Sequence, residues 1–564
     1  MSKRVAMRLN ALFAFAAASH WRAVAALLLV CLCSFLPGFF TIPPIDRDEA
    51  RFAQASKQMI ETGDFVDIRF QDQARHKKPV GIYWLQAAVV KAAEGLGVPQ
   101  ARTRIWLYRM PSLLGAIGAV LLTYWAALAF VGRGAALLAG LMLATSFLLN
   151  MEARLATTDA MLLVAVIAAQ GALGRAYPWG HGRYRDEAYP LRLPAIFWTA
   201  LAVGILIKGP LILLFVALTA LPLVILDRSA RFLLRLRPVA GVAWMLLLVL
   251  PWFVAIIARS GTAFFSASVE GDFLSKLGKA QESHWGPPGY YFALFWLTFF
   301  PAAMLAPLAA GAAWRARYEP ETRFLIAWLV PSWLVLELVM TKLPHYVLPL
   351  YPAIAILIAG VIERGELSDN AWLRRGPVWW FILTSLAGLG AIILHIVLGQ
   401  QAGFAAWPFV IAAMIISLFA WWLFEVDGVV VSFLRAVLAS ILLYVALFGA
   451  TFPAIRQLFP SRQIAEAIGR PSCGRADIVT AGFYEPSLVF LLGTDVRFGN
   501  GSSAADFLLS GRCRFAIIEK SQERAFINRA DALGLRYAPG PRVEAYNLSS
   551  GRAVSLAIFR GVEP

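Results

Sequence analysis

The chain has 564 residues, of which 59% are hydrophobic and only 15% charged, and its mean hydropathy is +0.66. So little charge cannot keep such a chain in solution, which excludes an ordinary soluble enzyme and leaves a membrane protein. The formal charge of +17 reads as a topology signal and calls for no nucleic acid.

Apolar runs long enough to cross a bilayer lie near 22–40, 110–131, 134–150, 157–176, 238–258, 289–313, 323–341, 345–363, 375–398, 404–424 and 428–452. A longer stretch, 194–227, is broken by Lys208-Gly209-Pro210. It reads as two helices meeting at an outer loop, because proline removes a backbone donor and glycine adds no stiffness. The total is about thirteen spans. With Lys3, Arg4 and Arg8 in the cytoplasm, alternate loops carry Arg133; Arg175, Arg183, Arg185 and Arg192; Arg228, Arg231, Arg235 and Arg237; Arg315, Arg317 and Arg323; Arg364, Arg374 and Arg375. Basic residues on the inner side are the expected pattern for an inner-membrane protein. An odd count places the segment from about 455 on the periplasmic side. The first apolar run is of spanning length and no small-residue cleavage site clearly follows it, so no cleavable signal peptide is expected.

Two regions lie outside the spans, dividing the chain into a membrane domain, 1–454, and a soluble domain, 455–564. The first region is the periplasmic loop 41–108. After Pro43-Pro44, the stretch from Asp48 to Ile60 sets Phe52, Met59 and Ile60 at helical spacing with polar residues between them. It reads as an amphipathic helix on the membrane surface. A second helix, from about Val80 to Glu94, carries Tyr83 and Trp84, which suit the headgroup interface. In the C-terminal region Ile464 to Ile468 and Pro486 to Leu492 read as helical, while 478–480, 515–518 and 554–559 read as strands, together a small α/β domain. No glycine-rich phosphate loop follows a strand, so no cofactor is assigned. Cys31 and Cys33 read as packing residues in the first span. Cys473 and Cys513 lie where a disulfide is chemically allowed, and the sequence leaves that pairing open.

The informative charges are those that break the topology rule. Lys77-Lys78, Arg154, Lys208, Lys276, Lys279 and Lys342 all fall on the outer side, at or near helix ends. Together with Asp48, Glu49 and Asp159 they suit an outward cavity in which cations hold a phosphate or diphosphate and carboxylates serve proton transfer or a positive sugar centre. Each has a plainer reading. Asp48 and Asp159 suit helix N-termini, and Glu49 suits a first turn. Lys77-Lys78 suits a solvated turn before Pro79, and Lys342 can snorkel to the interface. Lys208, between two apolar spans, is costly unless it reaches water or a partner. Glu337 and His395 read as structural. No metal-ligand spacing of Cys and His occurs.

These residues carry a resemblance. Asp48-Glu49-Ala50-Arg51-Phe52-Ala53, Lys78-Pro79 leading into Tyr83-Trp84-Leu85, Ala156-Thr157-Thr158-Asp159, Lys208-Gly209-Pro210, and the run from Lys342-Leu343-Pro344-His345-Tyr346 to Tyr351-Pro352 resemble the bacterial lipid A aminoarabinose transferases. They also resemble the wider protein O-mannosyltransferase-like group of C-type glycosyltransferases. The resemblance covers nearly the whole chain and implies a GT-C fold: a polytopic α-helical membrane protein with a periplasmic α/β domain. It implies inverting transfer of a sugar from a polyprenyl (undecaprenyl) phosphate donor to lipid A, lipopolysaccharide core or another periplasmic glycan or protein acceptor. Asp48 would be the main catalytic carboxylate, with Glu49 beside it, Arg51 orienting it and Asp159 as the second carboxylate. Lys78, Lys208, Lys342, His345 and Tyr346 would hold the carrier phosphate or the acceptor. A divalent cation is optional in this reading, and none is expected. The position before Lys78, which can be acidic in the aminoarabinose transferases, is Lys77 here. The segment 270–288 also lacks the His-and-basic pattern of a close aminoarabinose transferase. Galacturonate, mannose or another hexose is therefore as admissible as aminoarabinose.

Two competing classes remain. A lipid-linked sugar transporter or flippase would show repeated halves and ionisable groups at the bilayer midplane, and no twofold repeat stands out. A non-catalytic assembly protein would have no use for Asp48 and Asp159. A protein O-glycosyltransferase is the alternative within the enzyme class.

Overall fold

The computed structural model describes residues 2–180, 191–268, 285–398, 401–469, 476–509, 511 and 513–562. The chain divides into two compact units. The first comprises Met1–Phe39, His76–Ile82 and Arg109–Thr451; the second comprises Phe40–Arg75, Tyr83–Tyr108 and Phe452–Pro564. The soluble residues of the first loop therefore group with the C-terminal region.

The first unit is helical. Each apolar run in the sequence has a helical counterpart, and among the described residues seven helices are long and apolar enough to cross a membrane. Two further candidates are bent pairs: Arg4–Ala17 with His20–Phe35 at 119°, and Tyr290–Thr298 with Ala302–Arg315 at 111°. Arg133–Ala144 and Leu211–Asp227 are apolar but shorter. The chain is an integral membrane protein; among the described residues seven helices, or nine with the bent pairs, qualify as spans by length and composition, where the sequence reads as about thirteen. The stretch 194–227 does split at the expected place. Helix Arg192–Lys208 ends on Gly209, whose φ of +72° lets its N–H reach back to Ile205 O at 2.8 Å, and Pro210 precedes helix Leu211–Asp227. A helix that the apolar pattern does not reveal, Ser2–Ala17, precedes the first span expected at 22–40.

The proline-rich run near 344 folds as a 3₁₀ turn, Pro344–Leu350, leading into helix Tyr351–Arg364. Pro344 and Pro352 stand in first turns, where a missing N–H costs nothing. Trp328 Nε1 donates to Pro349 O at 3.1 Å and pins the turn.

In the second unit, strands β1 (Arg69–Phe70) and β2 (Gln73–Ala74) form a small hairpin. Strands β3 (Asp477–Ala481), β4 (Arg497–Gly499), β5 (Arg514–Glu519), β6 (Tyr537–Asn547) and β7 (Arg552–Gly561) form a sheet in the order β4-β3-β5-β7-β6. β3 runs parallel to β4 and β5, while β7 runs antiparallel to β5 and β6. Alternate residues feed two apolar layers: Ile478, Phe515, Ile517 and Ile558 on one face, Val479, Ala516, Ile518 and Phe559 on the other. The expected helix Pro486–Leu492 and the three expected strands are present. β4, β6 and helices Gly501–Leu509 and Lys520–Ala532 were not foreseen. Cys513 is disulfide-bonded and Cys31 and Cys33 carry free thiols, while Cys473 lies outside the described residues.

Helix Asp48–Thr62 starts where expected, but it is enclosed by protein on most sides rather than presenting one apolar face. Its residues from Glu49 to Ile60 are buried apart from half-buried Arg51. The polar ones bond within the second unit: Gln54 to Thr494 Oγ1 at 2.8 Å, Ser56 to Gln86 at 2.7 Å, and Lys57 Nζ to Phe490 O at 2.9 Å. A helix with polar groups on its buried face needs such partners. Those partners lie far along the chain, where periodicity alone cannot find them.

Candidate functional site

In the first unit the sequence places charges at helix ends, and the fold gathers them. Asp159 opens helix Asp159–Gly180 and Lys208 closes helix Arg192–Lys208, each where the helix dipole favours its charge. Their side chains meet with Lys208 Nζ 2.5 Å from Asp159 Oδ1, both 8% exposed. His345, held by the 3₁₀ turn, sets Nε2 at 3.7 Å from Asp159 Oδ1 and Nδ1 at 3.5 Å from Glu152 Oε1. Thr157 Oγ1 donates to Glu152 Oε2 at 2.9 Å, and Thr158 Oγ1 lies 3.4 Å from Asp159 Oδ2. The Lys208 ammonium stands 5.4 Å over the Tyr346 ring, which packs edge-on to His345. Lys78 is near enough for its charge to act on Asp159. The structure thus brings together Asp159, Lys208, His345, Tyr346 and Lys78, five of the residues singled out from sequence.

Glu152 belongs to this cluster and was missed. Its signal was available: an ionisable residue at the end of an apolar run is costly unless it has a use.

Two of the outer cations are occupied with main chain. Lys342 Nζ donates to Glu337 O and Val339 O, each at 2.7 Å, and stands 4.0 Å from the Glu337 carboxylate. It thereby closes the C-terminal end of helix Pro320–Leu338. Burial holds its pKa below that of an ordinary lysine. Glu337 in turn accepts the N–H groups of Gly289, Tyr291 and Phe292 at 3.0, 3.1 and 3.3 Å, capping helix Tyr290–Thr298. Arg154, 3% exposed, donates to Pro37 O at 2.7 Å and to the carbonyls of Ser34 and Asn150. Lys276 and Lys279, with most of the segment 270–288, lie outside the described residues.

Asp48, Glu49 and Arg51 belong to the second unit. Asp48 is the first residue of its helix and its side chain is 64% exposed; Arg51 Nη1, one turn on, stands 3.8 Å from its Oδ1. An exposed carboxylate fixed by a neighbouring guanidinium can act on a substrate. Glu49 is buried and accepts the N–H of Ile45 at 2.8 Å, which folds the approach to the helix. Asp46 was not foreseen. It accepts the N–H of Ser487 at 2.9 Å, and burial together with the adjacent Glu485 pushes its carboxyl up to about 7. Among the described residues no three His, Cys, Asp or Glu side chains are grouped closely enough to hold a metal.

Comparisons with known proteins agree with this architecture. The family described as dolichyl-phosphate-mannose-protein mannosyltransferase matches residues 97–263. An undecaprenyl phosphate-alpha-4-amino-4-deoxy-L-arabinose arabinosyl transferase from Edwardsiella ictaluri is 27% identical over 376 residues, covering 66% of this chain and 65% of that protein. A protein of the same name from Yersinia pestis is 26% identical over 361 residues, 62% of this chain and 61% of its own. The match thus spans less than two thirds of these relatives' length. The crystal structure of ArnT from Cupriavidus metallidurans bound to undecaprenyl phosphate superposes with a TM-score of 0.72 at 20% identity, covering 95% of this chain and 97% of that one. Its apo state gives 0.71. The fold is shared, and the resemblance read from the motifs is borne out.

Proposed function

We propose that this protein, sharing the fold of a transferase that binds undecaprenyl phosphate, moves a sugar from that carrier to a lipid A or lipopolysaccharide-core acceptor at the periplasmic face of the inner membrane. The observation that carries the reading is the buried cluster of Asp159, Lys208, His345 and Glu152. Ionisable groups this enclosed are costly, and they persist where chemistry uses them. In an inverting transfer the acceptor oxygen attacks the anomeric carbon while the bond to the carrier phosphate oxygen breaks. The carrier phosphate leaves with the bonding electrons, and Lys208 and Lys78 are the cations to receive it. A hydroxyl acceptor must also lose a proton, which Asp48 would take; a phosphate acceptor is already a nucleophile and needs no base. Asp159 holds Lys208, and His345 and Tyr346 fix the approach to it. The contacts of Lys342 support a helix-ending role. A transporter reading finds less support, because these charges sit at helix ends rather than along a midplane path.

The test is reconstitution of the purified protein with lipid A and undecaprenyl phosphate carrying aminoarabinose, galacturonate or mannose, with products read by mass spectrometry. One donor should yield modified lipid A. Asp48→Asn should keep near-normal thermal stability and lose transfer to a hydroxyl acceptor by roughly 10²–10⁴-fold, while Lys208→Ala should weaken undecaprenyl phosphate binding. Full activity of Asp48→Asn would remove Asp48 from the mechanism. Flipping of the donor across proteoliposomes without any transfer would establish the transporter instead.

A further inference from the structure

The second unit contains a half-open cavity of 1120 Å³ that the reaction described above does not use. One wall is the β1–β2 hairpin with the end of helix Asp48–Thr62; the other is residues 494–498, which include the start of β4, an edge strand of the sheet.

The wall is built rather than incidental. Gln71, in the hairpin turn, has φ +53°, a left-handed conformation that a non-glycine residue adopts only when its surroundings hold it there. Gln58 holds it there: its side-chain amide donates to Gln71 O and accepts from Gln71 N, both at 2.8 Å. The Gln71 amide then donates to Thr494 O at 3.0 Å and to Val496 O at 2.6 Å. Thr494 Oγ1 donates to Glu61 at 2.6 Å. The hairpin is thereby tied to the segment that leads into the edge strand β4.

What remains open to a ligand is polar, mixed in charge and partly aromatic. Asp72, Gln73 and Arg497 are exposed and line the cavity; among the described residues the Asp72 and Gln73 side chains make no hydrogen bond or ion pair, and the Arg497 guanidinium stands 5.4 Å over the Phe507 ring with its N–H groups on the edge left to a ligand. Phe498 is 41% exposed and Phe70 half-buried. Carboxylate, amide and guanidinium groups bind vicinal hydroxyls in pairs, and an exposed aromatic face receives the C–H side of a sugar ring. The volume of 1120 Å³ lies just above the ~300–1,000 Å³ typical of small-molecule sites, which suits more than one sugar ring.

We infer that this cavity docks the oligosaccharide portion of the acceptor, an inference that rests on the glycosyltransferase reading. The acceptor is then recognised as a polyhydroxylated glycan, apart from its reacting group. The full-length protein should be titrated with a delipidated lipopolysaccharide core oligosaccharide, binding being followed by saturation-transfer NMR and calorimetry. Undecaprenyl phosphate binding is measured on the same preparation. The wild-type protein should bind the oligosaccharide, and the double variant Asp72→Ala/Arg497→Ala should bind it at least tenfold more weakly. Gln71→Ala, which loosens the wall, should give an intermediate loss. Undecaprenyl phosphate binding should be unchanged in all three. Equal oligosaccharide binding by the double variant, no binding by the wild type, or full displacement by an unrelated acidic or basic peptide would overturn the inference. If the wild type binds the oligosaccharide but not undecaprenyl phosphate, the transferase reading fails while the glycan site stands.

Discussion

Asp46 shows how one side chain ties stability to pH. Its folded-state carboxyl is raised to about 7, first by burial and then by Glu485, whereas an unfolded chain would return it to the ordinary 3.8. Between these values the folded protein holds a proton that the unfolded chain has released. Its contribution is therefore fully present below about pH 4 and is lost as pH rises through 7. Asp46→Asn keeps an oxygen to accept the Ser487 N–H and cannot titrate. The variant should flatten the pH dependence of unfolding between pH 4 and 7, measured by thermal melts, and an unchanged slope would assign the effect elsewhere. None of this was legible in the sequence, where Asp46 stands two residues before a better-looking acid. Its shift comes from Ser487 and Glu485, more than four hundred residues away. Asp159 and Lys208 were legible because charge at the end of an apolar helix is anomalous by itself. Glu152 satisfied the same rule and was passed over beside Arg154.

At the level of elements, apolar length and the placement of Pro and Gly foretold most helices, including the break at Gly209 and helix Pro486–Leu492. Short or polar elements were lost: β4 is three residues long, and helix Lys520–Ala532 has few apolar positions to show a period. The joints between helices show a division of labour. Lys342 closes one helix and Glu337 opens another, so two elements are held through one charged pair. Lys342→Ala leaves buried carbonyls without a donor and should cost about 1–3 kcal/mol of stability. Donor affinity in the folded variant should stay within about twofold, or roughly 0.4 kcal/mol. A large loss of undecaprenyl phosphate affinity with unchanged melting would return Lys342 to the phosphate site.

For the whole molecule, the decisive fact is that the first loop and the C-terminal region fold as one unit. Gly63 and Gly540 must then lie on the same side of the membrane, and the chain between 109 and 451 must cross it an even number of times. From the basic loops that side is expected to be the periplasm. Reporter fusions at Gly63 and Gly540 should both give periplasmic signals; opposite signals would break the unit, and two cytoplasmic signals would invert the topology. The joining of these regions was hidden from a reading in chain order, because Gln54, Lys57 and Gln71 look like solvent-facing residues until Thr494, Phe490 and Val496 are set against them. The same pairing sets a timetable for biogenesis. The loop is made early, yet the bonds of Gln54 to Thr494, Lys57 to Phe490 O and Gln71 to Val496 O cannot form until the last fifth of the chain has been synthesised. Through most of synthesis the loop must wait without these contacts and should be more open to proteases. A chain stopped after Thr451 should retain its apolar helices and show a loop cleaved by added protease at 41–75, where the full-length protein resists. Equal resistance would mean that the loop folds without its distant half.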